Sequence, residues 1–206
     1  MEVGTAAGTT RVALGRMNIG IYVYELAEEL DWAGPWEVLS AWARKWPEDG
    51  ISAFTITDSS EPVLCAKGLR VLGDRTWATA ADVDVIVVPG GDARIPSADM
   101  ALHERLRAIS ARGGLLTSVC TGAFVLQAAG VLDGKPATTH WGSMERLREL
   151  GVDVRDERFV DAGDVVTAAG VSAGIDMALH LVARLHSVER AREVRRYIQY
   201  DPEPPV

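Results

Sequence analysis

Short apolar runs alternate along the chain with stretches of helical periodicity. Residues 18–24 (NIGIYVY) are β-branched and aromatic and lead into an acidic loop, a pattern that predicts a first strand inside a sheet. Trp36, Leu39, Trp42, Ala43 and Trp46 then recur at helical spacing. They predict a helix that begins just after Asp31, with Pro35 tolerated in its first turn. A strand is expected at 53–57 and a small hairpin over 63–72. The nearly continuous apolar run 83–89 (VDVIVVP) ends at Gly90 and Gly91, as a strand covered on both faces ends at a tight turn.

The second half repeats the alternation. A helix is expected at 99–112, a strand at 114–119, a helix at 122–129, a short strand at 137–139 and a helix at 142–150. Closing strands at 152–154, 159–161 and 165–168 precede two final helices, 172–185 and 188–199. Such alternation implies an α/β fold, a mostly parallel sheet sandwiched by helices, whose ligands sit beyond the carboxyl ends of the strands. Asp31, Gly91 and Cys120 all fall at such ends.

Composition narrows the function classes. The 206 residues suit one domain, expected over 17–206, and residues 1–16, small and polar, are expected to be a disordered extension. They carry no apolar core for a signal peptide or a membrane span, so the expectation is a cytoplasmic chain without membrane contact. The formal charge of -8 repels phosphate backbones and argues against a nucleic-acid partner. The two cysteines, Cys65 and Cys120, have neither disulfide nor metal-clip spacing, which suits a reducing compartment. His103, His180 and His186 fall on expected helices without ligand spacing, and neither a metal nor a cofactor is implied.

The chemistry concentrates at Ser118-Val119-Cys120-Thr121-Gly122, where a strand meets a helix. Small residues two before and two after a central nucleophile permit the sharp turn of a nucleophile elbow. A sulfur facing a helix N-terminus is expected to favour its thiolate, with a pKa below the free value of about 8.5. Cys65 sits in an apparently polar loop beside Lys67 and Gly68 and is read as incidental. The bland alternatives are a buried small apolar role for Cys120 and a helix N-cap for Asp31.

Three stretches, 83–91 (VDVIVVPGG), 118–134 (SVCTGAFVLQAAGVLDG) and 137–141 (ATTHW), resemble the ThiJ/PfpI superfamily. That resemblance implies a flavodoxin-like, class I glutamine amidotransferase-like fold. Residues 30–39 (LDWAGPWEVL), 170–181 (GVSAGIDMALHL) and 198–205 (IQYDPEPP) bring the wording nearest to its isocyanide hydratases and to the ligand domains of AraC-type regulators.

By that resemblance Cys120 is the nucleophile and Asp31 the acidic partner, with Thr121 orienting water or substrate. The N–H groups of Gly91 and Thr121 line an anion pocket, and His140 and Trp141 lie near the substrate. The resemblance also implies a homodimer that covers apolar surface around Trp32 and Trp36. The protease-like members carry histidine after the cysteine; Thr121 stands there instead, which argues against peptide hydrolysis.

The expected activity is hydration of an isocyanide, a small organic substrate, to an N-substituted formamide through a thioimidate. The alternatives are a ligand-sensing domain, for which no helix-turn-helix module is expected before the chain ends at Val206, and a stress-response or deglycase-like protein.

Overall fold

The computed structural model describes residues 16–80 and 82–203, so apart from Arg16 the expected N-terminal extension lies outside the described residues. The chain runs through β1 (Met17–Tyr22), α1 (Glu29–Lys45), β2 (Ile51–Thr57), a β3 (Val63–Leu64) and β4 (Arg70–Val71) hairpin, and β5 (Arg75–Thr76). It continues with β6 (Val85–Val88), α2 (Arg94–Ala98), α3 (Met100–Ala111), β7 (Leu115–Val119) and α4 (Gly122–Ala128). Then come β8 (Pro136–Ala137), α5 (Met144–Glu149), β9 (Asp153–Val154), β10 (Phe159–Asp161), β11 (Val165–Ala168), α6 (Ala173–Leu185) and α7 (Val188–Tyr197).

Seven strands form the central sheet in the order β10-β11-β7-β6-β1-β2-β5. All neighbours are parallel except β10 and β11. Every residue of β6, β7 and β11 is buried, as unbroken apolar or small strands must be when helices cover both faces of a sheet. Helices α1 and α6 meet closely because two glycines remove side chains: a Cβ on Gly34 would lie 3.0 Å from Ile175, and one on Gly174 3.1 Å from Pro35 and Val119. Among the described residues no helix is long and apolar enough to cross a membrane.

Several expectations are corrected. Helix α1 starts at Glu29, so Asp31 is in its first turn and is not its N-cap, and Pro35 lies inside the helix. Lacking an N–H, Pro35 returns no hydrogen bond to the Asp31 carbonyl. Strand β9 pairs with β8 outside the central sheet, and β5 and α2 were not expected at all. Trp32 is buried, so it contributes nothing to the apolar surface expected to meet a second copy.

A buried ionic knot fastens α7 to the far end of α1. Asp49 accepts from Trp42 Nε1 at 2.8 Å, from Arg190 Nε at 2.6 Å and from Arg190 Nη2 at 3.2 Å. His186 Nε2 lies 3.2 Å from the same carboxylate, and the Arg190 guanidinium stacks 4.6 Å above the Trp46 ring.

Candidate active site

Strand β6 delivers Gly90 and Gly91 to the edge of the sheet, and the loop after β1 is clasped against them. Glu28 N–H donates to the Gly90 carbonyl at 2.9 Å, Asp92 N–H donates to the Leu26 carbonyl at 3.0 Å, and Ala27 and Gly91 form an isolated bridge. The approach needs glycine at 91: its φ is +117°, and a Cβ there would sit 2.3 Å from the Leu26 carbonyl oxygen. The clasp swings the first turn of α1 over the end of β7, where Cys120 begins the turn into α4.

Cys120 has φ +57°, the left-handed region that costs a non-glycine residue about 1–3 kcal/mol and concentrates at functional sites. Its backbone is held on both sides: the N–H donates to the Ala168 carbonyl at 3.0 Å, and its carbonyl accepts from Thr139 Oγ1 at 2.7 Å. Gly122 lets the following turn press against β6, since a Cβ there would meet the Val88 carbonyl oxygen at 2.3 Å. These contacts make the elbow that the Cys-Thr-Gly joint predicts.

The Asp31 carboxyl is wholly buried and interacts directly with the Cys120 thiol. Its Oδ2 accepts from Gly90 N–H at 2.9 Å, while the buried Oδ1 accepts no hydrogen bond from the described residues. Burial, joined by the charge of Glu28, raises the carboxyl from its ordinary 3.8 to about 7, against the opposing pull of the Gly90 N–H. Burial, and then the Asp31 charge, push the thiol up to about 12, although the Thr121 N–H favours the thiolate. Burial thus shifts the thiol in the direction opposite to the depression expected from a helix N-terminus.

Thr121 Oγ1 accepts from Gly91 N–H and donates to the Gly91 carbonyl, both at 3.1 Å. The Gly91 N–H is therefore engaged inside the loop, and the groups that act on the sulfur are the Thr121 N–H and hydroxyl. Gly90, which the sequence marked only as a turn residue, has a second role. A Cβ on it would lie 2.6 Å from Thr121 N, 2.6 Å from Thr121 Oγ1 and 2.7 Å from Asp31 Oδ2. Three polar groups thus pack directly on Gly90 and leave no room for a side chain there. Gly90→Ala should push Thr121 and Asp31 out of place and lower kcat/KM by about 10²-fold, the effect of misplacing reacting groups by an ångström. Steady-state kinetics on a variant with wild-type circular dichroism tests this, and unaltered kinetics would show that the packing on Gly90 does not position the reacting groups.

His140 and Trp141 follow Thr139, whose hydroxyl holds the Cys120 carbonyl. His140 Nδ1 accepts from Gly142 N–H at 3.2 Å, and its ring packs over Gly170, where a Cβ would lie 2.8 Å from Cδ2. Trp141 is 79% exposed and packs on the His140 ring at 5.2 Å. Tyr24, missed in the sequence because it reads as one more strand aromatic, is buried beside the pair and donates to the Pro89 carbonyl at 3.2 Å. Cys65 is buried, contrary to its polar surroundings in sequence, and lies in the β3–β4 turn with its N–H donating to the Leu69 carbonyl at 2.8 Å.

A flavodoxin-like sheet that carries a cysteine elbow beneath a carboxyl from the first helix defines a class of cysteine-centred α/β proteins. The chain belongs to the DJ-1/PfpI family, whose profile matches residues 17–184. It is 35% identical over 190 residues to the isonitrile hydratase of Pseudomonas putida, covering 92% of this chain and 81% of the relative. It is 33% identical over 135 residues to the HTH-type transcriptional regulator CdhR of Pseudomonas aeruginosa, covering 65% of this chain but only 40% of the regulator. The crystal structure of a ThiJ/PfpI family protein from Pseudomonas syringae superposes with a TM-score of 0.84 at 28% identity, covering 98% of this chain and 84% of the other.

Proposed function

We propose that the protein is a cysteine-dependent hydratase that converts an isocyanide into an N-substituted formamide. The observation that carries this reading is the buried pair itself: Cys120 strained at φ +57° on the elbow, beside a wholly buried carboxyl whose pKa burial raises. Similarity to the isonitrile hydratase supports the choice of substrate.

The geometry lets one proton serve twice. Asp31 takes the thiol proton as the sulfur attacks the terminal carbon of the isocyanide, and returns it to that carbon. The product is a thioimidate, R–N=CH–S–Cys120, with no group lost. Asp31, again ionised, then takes a proton from water as the water oxygen adds to the thioimidate carbon. The C–S bond breaks, nitrogen and sulfur each end with one proton, and R–NH–CHO leaves. The Thr121 N–H steadies charge on the sulfur during attack and departure. No redox partner is needed, because water supplies every atom added.

Incubation with an alkyl or aryl isocyanide, followed by mass spectrometry of the formamide, tests the reading; its absence at every pH would reject it. Similarity to CdhR favours a second reading, ligand sensing, which saturable isocyanide binding without formamide would support.

The pair also predicts a pH dependence. The productive form holds one proton between Asp31 and Cys120, so kcat/KM should rise on an acid limb near the Asp31 value of about 7 and stay level above it. Asp31→Asn should lose most of the rate and, in what remains, the limb; a limb that persists in the variant belongs to another group. The stability effect has the opposite sense. Between about 4 and the native value the folded state binds the extra proton, so the contribution of Asp31 falls as pH rises through that window. Thermal melts at pH 8 should therefore find Asp31→Asn more stable than wild type.

A further inference from the structure

A cavity of about 320 Å³ opens where Gly91 and Thr121 reach the surface, and it continues between α4 and α5 along Phe124, Gln127 and Arg146. Its charges are not equivalent. The Arg94 guanidinium is closed onto Asp92 by two hydrogen bonds of 2.7 and 2.5 Å. On α5, Glu145 is paired with Arg148 at 3.3 Å. Arg146 has no ion pair and no hydrogen bond among the described residues; its guanidinium lies 5.4 Å from the centre of the Phe124 ring. The cavity therefore begins at Thr121, the residue after Cys120, passes an aromatic wall, and ends at a cation that holds no ion pair among the described residues.

We infer that this cavity receives a substrate substituent bearing a carboxylate, with Arg146 as its counter-charge and the Phe124 ring as its apolar wall. The inference rests on the hydratase reading for the reacting end of the substrate. A planar guanidinium suits a carboxylate because two parallel N–H donors match its two oxygens. On a chain of formal charge -8, a neutral substituent gains nothing from Arg146, whereas an anion without a local cation is repelled. Arg146 is a specificity residue in this arrangement, and the chemistry stays with Cys120 and Asp31.

The test compares an isocyano carboxylate with its methyl ester, matched in shape and differing in charge. Wild type should prefer the acid by about tenfold in kcat/KM, equivalent to about 1.4 kcal/mol and modest because Arg146 is open to solvent. Arg146→Gln should lower kcat/KM for the acid about tenfold more than for the ester, through KM, and Arg146→Lys should restore part of the preference. Equal use of acid and ester by wild type, or an equal loss of both in Arg146→Gln, overturns the inference.

Failure to turn over any isocyanide would instead strike the hydratase reading. Titration calorimetry with an N-formyl aromatic amino acid and its methyl ester then decides the cavity by itself. Carboxylate-selective binding that weakens in Arg146→Gln upholds the site, and no selectivity removes it.

Discussion

Cys120→Ala should lower formamide production by at least about 10³-fold, the scale of loss when a nucleophile is deleted from a unit that acts together. The rest of the fold should survive the change. The hydrogen bonds that hold the elbow run through the backbone N–H and carbonyl of residue 120, and alanine keeps both. The positive φ remains as strained as before, so folding stability should move little. Cys65→Ala is the matching control, because Cys65 sits in the hairpin turn and has no part in the Asp31 pair. Product analysis with circular dichroism melts on the three proteins checks the result. Retained turnover in Cys120→Ala would dismiss covalent catalysis altogether.

The largest effect on stability is expected at Asp49. Asp49→Ala should cost about 3 kcal/mol, because it leaves Arg190 Nε and the Trp42 indole N–H without an acceptor and the guanidinium with only its solvent-facing partners Glu193 and Glu48. Urea unfolding should show a lower midpoint with an unaltered slope, and isocyanide turnover below the transition should persist because Asp49 joins α1 to α7 away from the elbow. Burial alone would raise the Asp49 pKa, but the hydrogen bonds from Arg190 and Trp42 outweigh it and hold the carboxyl below its ordinary value. A native value below the unfolded one means that the stabilisation is full at neutral pH and fades as pH falls through the native pKa. The gap between wild type and Asp49→Ala should accordingly narrow in acid; a gap independent of pH would mean that packing, and not charge, is what Asp49 supplies.

Much of this architecture is legible in the residues. The apolar runs that become β1, β6, β7 and β11 are short and unbroken, which marks strands buried on both faces, and the periodic stretches between them become helices. The β3–β4 hairpin and the elbow are equally legible, since Gly122 permits a close turn that few residues allow.

Other features leave no such trace. The start of α1 is hidden because Glu28 and Glu29 look like an acidic loop, although Glu29 opens the helix and reaches across to the Lys67 N–H at 2.7 Å. Strand β5, two residues long, is too brief for any period to show, and Pro96 obscures α2. The direction of the Cys120 shift was misjudged because a helix N-terminus is visible in the sequence while the burial of sulfur and carboxyl together is not.

The sequence by itself determined the alternation of strands and helices, the family wording, and the placement of a cysteine at a strand-to-helix joint, because each depends on residues near one another in the chain. Only the tertiary structure decided that Asp31 and Cys120 are buried together, that Thr121 and Asp31 pack on Gly90 without room for a side chain, and that Arg146 has no ion pair among the described residues. Those facts depend on the parallel neighbours β1, β6 and β7 bringing three distant loops to one edge of the sheet, and on which groups burial leaves paired.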